Sequence, residues 1–458
     1  MVTEHNRGTW GSRSGFILAA AGSAVGLGNI WGFPTQVGKG GGAAFVLVYL
    51  ICVLFICFPI LIAELTIGRH AQKDPVGSFH AIRPDTRWWL VGALGVLAGV
   101  GILSFYSVIA GWTIGYVWFT ATNAISTGQD TAGEFFAEFT ADPLTNVILT
   151  FGMLGITAAI VMGGVRSGIE RVSKTLMPTL IIIMILLALR AVTLPGAIDG
   201  LSYYMKPDLS KLTDPNVFNA ALGQAFFSLS LGMGAMITYG SYLKKRVGIA
   251  GAAIWIVLLD TSIALLAGFI IFPAGFSMEG FDPSSGGPGL IFVVLPRLFA
   301  TLPGGQLFGI AFFVLLAMAA LTSMISLLEV PVAHLIDTYH WERTRAVVVI
   351  TIVTMALALP SALANGSVDF FTKLPGFGID FLTLMSTVWN NFALPIGGLL
   401  TAIFVGYSWK VDSAIVELRK DQAWFPLPGL WGTLIRYACP AGILLIIIYT
   451  VRTLISAG

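Results

Sequence analysis

Ala21-Gly22-Ser23-Ala24-Val25-Gly26-Leu27-Gly28-Asn29-Ile30-Trp31-Gly32-Phe33-Pro34 interrupts the first hydrophobic segment of the chain. A bilayer-spanning helix should run unbroken here. Gly22, Gly26 and Gly28 each weaken it by roughly 1 kcal/mol against alanine. Pro34 removes a backbone donor and clashes with the preceding turn. A break at this depth frees N–H and C=O groups that hydrocarbon cannot satisfy. It is tolerated only where those groups line a polar cavity or bind a ligand. Broken helices whose loose ends hold ions and anionic groups are a transporter device.

The rest of the composition agrees with a bilayer as solvent. The 458 residues are 56% hydrophobic and 10% charged, with mean hydropathy +0.86, whereas soluble chains are closer to a quarter charged. The net charge of +2 says little by itself. Cys52, Cys57 and Cys439 imply no disulfide framework, and Cys52 and Cys57 fall on different helix faces. The histidines do not cluster, and no nucleophile–base pair or metal-ligand cluster marks an enzyme. Nothing calls for a nucleic-acid partner. The polar stretch Met1 to Arg13 and the segment after it do not read as a cleavable signal peptide.

A spanning helix needs about 20 apolar residues. Eleven segments qualify, at roughly 14–38, 43–68, 88–122, 146–164, 173–192, 216–242, 248–273, 304–337, 345–361, 377–406 and 431–454. Between the seventh and eighth, a Gly/Pro-rich connection from Phe276 to Pro303 carries the apolar run Leu290 to Leu298, expected to form short helices over the pore. With the N-terminus inside, 18 of the 25 Lys and Arg fall on the inner side, as the positive-inside rule asks. The loop from Asn123 to Leu144 has Asp130, Glu134, Glu138 and Asp142 and no basic residue, so it faces outside.

Gln224-Ala225-Phe226-Phe227-Ser228-Leu229-Ser230-Leu231-Gly232-Met233-Gly234 interrupts the sixth segment in the same way. Two breaks five helices apart imply two repeats of opposite topology, helices 1–5 and 6–10, with a substrate between the breaks. The chain divides as an N-terminal cytoplasmic segment (1–13), a first repeat (14–192), an extracellular loop (193–215), a second repeat (216–406), and a cytoplasmic linker with helix 11 (407–458).

Asn29, Ser228, Ser230, Asp260, Thr322 and Ser323 are polar residues inside apolar runs. An ionised Asp at a helix centre costs about 2.5–3.5 kcal/mol, so Asp260 wants a cation or a proton; a protonated structural Asp is the plainer alternative. Hard cations want several oxygen ligands, which Asn29, Ser228, Asp260 and freed carbonyls can supply. Thr322 and Ser323, taken alone, read as hydroxyls bonded back to the i−4 carbonyl. Gly22 and Gly26 can equally be close-packing contacts. Tyr106 is either a donor to a substrate carboxylate or a packing aromatic with one satisfied hydroxyl.

An ordered set of motifs resembles the neurotransmitter:sodium symporter family, especially its bacterial amino acid transporters. It comprises Trp10-Gly11-Ser12-Arg13, the glycine-rich string ending at Pro34, Gly40 to Phe45, Pro59 to Glu64 with Gly68-Arg69, Gln224 to Ala235, and Ala319-Ala320-Leu321-Thr322-Ser323. The resemblance implies an all-α polytopic membrane protein with the leucine-transporter fold, placed in the inner membrane and driven by sodium. It implies one sodium site at the Ala24 carbonyl, Asn29, Ser228 and Asp260, completed by the substrate carboxylate. A second is implied at the Gly22, Val25 and Ala319 carbonyls with Thr322 and Ser323. The substrate carboxylate would meet the Leu27 and Gly28 N–H groups and the Tyr106 hydroxyl. Its amino group would meet the Ala24, Phe227 and Ser228 carbonyls and the Ser230 side chain. Ile102, Tyr106, Phe227, Met233, Ser323 and Leu327 would form a largely apolar side-chain pocket, which points to a neutral, hydrophobic or aromatic L-amino acid. An inner gate is implied between Arg7 and Asp337, with Trp10, Ser241 and Tyr242.

Several positions depart from the family pattern. Gly32 replaces an outer-gate Arg, and Leu382 aligns with its Asp partner. Asp260 and Ala264 stand where chloride-dependent relatives carry Asn and Ser, so a fixed carboxylate supplies the charge that chloride would bring; chloride-independent transport is expected. Glu329 has no assigned role, and Glu64 is expected to be structural at the inner end of helix 2. A proton-coupled or exchange transporter of the same fold, or an amino acid sensor without net transport, is the alternative.

Overall fold

The structure, a computed structural model, describes residues 8–125, 131–278, 280–284, 287–301, 304–420 and 424–457. Among these there is no strand. Nine helices are long and apolar enough to cross a bilayer: Ala43–Ala71, Trp89–Ala121, Pro143–Met162, Val165–Ala191, Ile249–Phe276, Gly305–Tyr339, Arg343–Ala362, Phe381–Ser408 and Pro428–Thr453. They are helices 2, 3, 4, 5, 7, 8, 9, 10 and 11. Helix 1 is the bent pair Arg13–Ala24 and Gly28–Lys39, turned by 50° at the break. Helix 6 is the pair Pro215–Ser228 and Ala235–Ser241, each half too short to span alone.

Local chemistry sets these ends. Ser12 caps helix 1 by accepting from the Gly15 N–H at 3.0 Å, and Asp214 caps helix 6 with Pro215 in its first turn; side-chain caps of this kind are worth about 1 kcal/mol. The helix 6 break turns through left-handed backbone at Ser230 (φ 53°), Gly232 (φ 80°) and Gly234 (φ 75°). Glycine takes that conformation at little cost, whereas Ser230 is held there by a 2.8 Å bond from its hydroxyl to the Ser23 carbonyl.

The two repeats are legible in the packing. Helix 2 lies along the second half of helix 6, Ala235–Ser241, and helix 7 lies along helix 1. The short helix Pro75–Ile82 that follows helix 2 packs on helix 3, and Leu295–Thr301 after helix 7 packs on helix 8. Helices 3 and 8 run against each other beside the two breaks. At Gly68 and Gly240 the backbones of helix 2 and helix 6 touch directly: a Cβ on Gly240 would lie 2.7 Å from the Leu65 carbonyl. The apolar run in the helix 7–8 connection forms the helix Leu290–Ala300, as expected.

Candidate functional site

The broken centres of helices 1 and 6 face each other, and helices 3, 7 and 8 supply the remaining side chains. Asn29, Ser228 and Asp260 converge. The Asn29 Nδ2 donates to Asp260 Oδ1 at 2.7 Å and to Ser228 Oγ at 2.9 Å. The Ser228 hydroxyl lies 3.0 Å from both Asp260 oxygens. All three are buried. Asp260 therefore keeps a carboxylate in the protein interior with neutral partners, and among the described residues no cationic side chain pairs with it. A buried carboxylate beside a hydroxyl offers oxygens to a hard cation, whereas the Asn29 amide presents its nitrogen here while its Oδ1 accepts the Gly26 N–H at 3.1 Å.

A second group of oxygens gathers where helix 8 meets the helix 1 break. Thr322 Oγ1 donates to the Ala319 carbonyl at 2.9 Å and reaches the Val25 carbonyl at 3.3 Å. Ser323 Oγ reaches the Ser23 and Val25 carbonyls at 3.2 and 3.4 Å. Gly22 faces the same point, since a Cβ there would sit 3.4 Å from the Thr322 Cβ.

Between these groups Ala24, Gly28, Ile102, Tyr106, Phe227, Ser230, Met233, Ser323 and Leu327 line one small cavity, together with Ser23 and Gly26. The Ser228 hydroxyl points to Asp260, and Leu27, which lines a neighbouring vestibule, donates its N–H to the Tyr106 hydroxyl at 2.9 Å. The cavity offers about 20 Å³, room for about one water. A much larger vestibule, about 640 Å³, lies above. Tyr106 and Phe227 line both spaces and form the partition between them.

Helix 10 meets the vestibule through Ser386, Asn390 and Asn391, not through Leu382, which packs against the core. Gly32 leaves its space to Gln224, whose Nε2 donates to the Gly28 carbonyl at 2.7 Å.

The end of the bundle expected to face inward carries Trp10, whose Nε1 donates to the Tyr239 carbonyl at 2.9 Å and whose ring meets Tyr239 and Tyr242 edge-on. Ser241 donates to the Thr238 carbonyl. Asp337 Oδ2 accepts the Asp74 N–H at 2.7 Å. Arg7, the expected partner of Asp337, lies outside the described residues. Glu329 acquires a place: it is fully buried, accepts from the Tyr242 hydroxyl at 2.6 Å, and pairs with Arg343. Glu64 has the structural role expected of it. Its Oε1 accepts the Gly232 N–H at 2.8 Å, so it satisfies freed backbone in the helix 6 break. Position in a long apolar run could have marked both residues; their partners, 168 and 14 positions away, could not be read.

The sequence model of the sodium:neurotransmitter symporter family matches residues 7–133 and 143–457. The chain belongs to that family, and is a multi-pass, sodium-dependent membrane transporter, not an enzyme. It is 36% identical over 450 residues to the uncharacterized sodium-dependent transporter YhdH of Bacillus subtilis, covering 97% of this chain and 98% of that one. It is 28% identical over 499 residues to the sodium-dependent serotonin transporter of Drosophila melanogaster, covering 98% and 77%. The crystal structure of MhsT in complex with L-phenylalanine superposes with a TM-score of 0.89 at 45% identity, covering 97% of this chain and all of that one.

Proposed function

We propose that this transporter carries a neutral, hydrophobic or aromatic L-amino acid inward with sodium, independently of chloride. The observation that carries the reading is the cavity itself. Ile102, Tyr106, Phe227, Met233 and Leu327 give it apolar walls, while the broken helix ends with Ser23, Ser230 and Ser323 give it a polar edge. A pocket of that kind suits a zwitterion with an apolar side chain, and the flexible Met233 can repack around different shapes. The similarity to MhsT, solved with L-phenylalanine, supports the same substrate class.

In this reading sodium occupies two sites. Asn29, Ser228, Asp260 and the Ala24 carbonyl hold the first; Thr322, Ser323 and the Gly22, Val25 and Ala319 carbonyls hold the second. The Tyr106 hydroxyl and the Leu27 and Gly28 N–H groups receive the substrate carboxylate, which completes the first sodium shell, so each ligand raises the affinity of the other. Tyr106 and Phe227 then close over the substrate, and movement of the helix 1 and helix 6 halves against helices 3 and 8 opens the inner side, where the N-terminus lies.

The test is uptake of each of the twenty amino acids into proteoliposomes with an inward sodium gradient, and with potassium in its place. Accumulation of an apolar or aromatic amino acid only with sodium is the expected result. Uptake driven by a proton gradient alone would overturn sodium coupling, and binding without accumulation would overturn transport.

A further inference from the structure

The last turn of helix 8 and the first inner loop are fastened by a histidine that the transport cycle above does not use. His334 Nδ1 stands 2.9 Å from Asp74 Oδ1. Asp74 is 1% exposed and His334 18%. The same Asp74 oxygen caps the short helix Pro75–Ile82 through the Val76 and Gly77 N–H groups at 2.9 and 3.2 Å. The Asp74 N–H in turn donates to Asp337 Oδ2. Thr338 closes the ring, 3.2 Å from His334 Nδ1. One imidazole thus positions Asp74, whose carboxylate caps the short helix and whose N–H meets the residue expected at the inner gate.

The geometry points to His334 as a pH-responsive positioning residue: protonation tightens its bond to Asp74 and holds the loop against helix 8, slowing opening of the inner side. Imidazole is the side chain whose charge changes between pH 5 and 8. A charge-assisted bond to a carboxylate is roughly twice as strong as a neutral one. Charged and titratable groups face the ring from each element packed on it. Asp74 and Asp337 face His334 from the loop and from its own helix. Lys73 precedes Asp74 in the loop, His80 comes from the short helix, and His340 follows helix 8; these three line the adjoining cleft of about 600 Å³. The Tyr339 ring meets the imidazole edge-on. The consequence for transport rests on the alternating-access reading; the clasp does not.

Hydrogen–deuterium exchange of the purified full chain in lipid nanodiscs, corrected for intrinsic exchange rates, reads the clasp directly. Between pH 8 and pH 5.5 the amides of 75–82 and of the helix 8 end should gain roughly fivefold in protection, the difference between a neutral and a charge-assisted bond. His334→Gln, which retains a polar side chain that does not titrate, should remove the pH dependence; His334→Phe should lower protection at both pH values. His80→Gln and His340→Gln should leave the dependence in place. A wild-type protein with no pH response, or a response that survives both His334 substitutions, overturns the proposal. In proteoliposomes, exchange of internal for external L-phenylalanine should slow at internal pH 5.5 in the wild type and not in His334→Gln. Equal slowing in that variant overturns the coupling to transport. Absence of any L-phenylalanine exchange counts against the proposed substrate and leaves the exchange-protection result to decide the clasp.

Discussion

Asn29 Nδ2 and Asp260 Oδ1 lie 2.7 Å apart although 231 positions separate them in the chain. The bond joins the break in helix 1 to the middle of helix 7 inside the protein. If a cation completes this group, the substitution Asn29→Ala should abolish sodium-coupled uptake. Asp260→Asn should lower sodium affinity about tenfold, equivalent to about 1.4 kcal/mol. Sodium titration of L-phenylalanine uptake reads both; normal sodium dependence in Asn29→Ala would remove this site from the mechanism.

Chloride should have no role. Asp260 and Ala264 are both buried, and in the proposed reading the fixed Asp260 carboxylate supplies the charge that chloride would bring. Replacing chloride with gluconate should leave the initial uptake rate unchanged. A collapse of the rate would show that the Asp260 charge does not substitute for the anion.

Gly26 should accept no side chain. A Cβ there would fall 2.7 Å from the Tyr106 hydroxyl and closer still to Ser323 Oγ. Gly26→Ala should therefore abolish binding of radiolabelled L-phenylalanine while the protein remains monodisperse. Overpacking of this kind costs about 1–3 kcal/mol, and here it falls on the substrate cavity. Unchanged binding would mean that the cavity lies elsewhere.

Glu329 and Arg343 should be strongly coupled. Glu329 is fully buried, while Arg343 is 23% exposed. Removing one partner of a buried pair costs roughly 3–5 kcal/mol, and the partial exposure of Arg343 puts its loss at the low end. Arg343→Ala should lower the melting temperature, and Glu329→Leu in the same chain should restore part of it. If the two losses simply add in thermal melts of the four proteins, the pair is not coupled.

Glu417 should contribute a stability that acid removes. Arg69, fully buried at the inner end of helix 2, donates to its Oε1 at 3.1 Å; His70 stands 3.0 Å from Oε2, and Lys420 pairs with the same oxygen. Burial raises this carboxyl, but the His70 and Lys420 hydrogen bonds and the Arg69 charge outweigh it and hold the group at about 2, below its ordinary 4.5. A lowered carboxyl stabilises the fold above the unfolded value and loses that contribution as pH falls from 4.5 toward 2. The melting temperature should drop across that window in the wild type, whereas Glu417→Gln should be less stable at neutral pH and flatter in acid.

The reach of the sequence is clear in the helices. In hydrocarbon each spanning segment must satisfy its own backbone, so apolar length and local breakers mark where helices run and where they fail. Gly22 to Pro34 and Gln224 to Gly234 could be read as breaks for that reason, and the candidate site residues were expected beside them. Partners across helices follow no such local rule. Gly232 with Glu64, Arg343 with Glu329, Asp74 with His334 and the vestibule face of Ser386 and Asn390 depend on which helix lies beside which, and at what rotation. Side-chain packing sets that rotation over separations of up to hundreds of residues, and only the tertiary structure decided it.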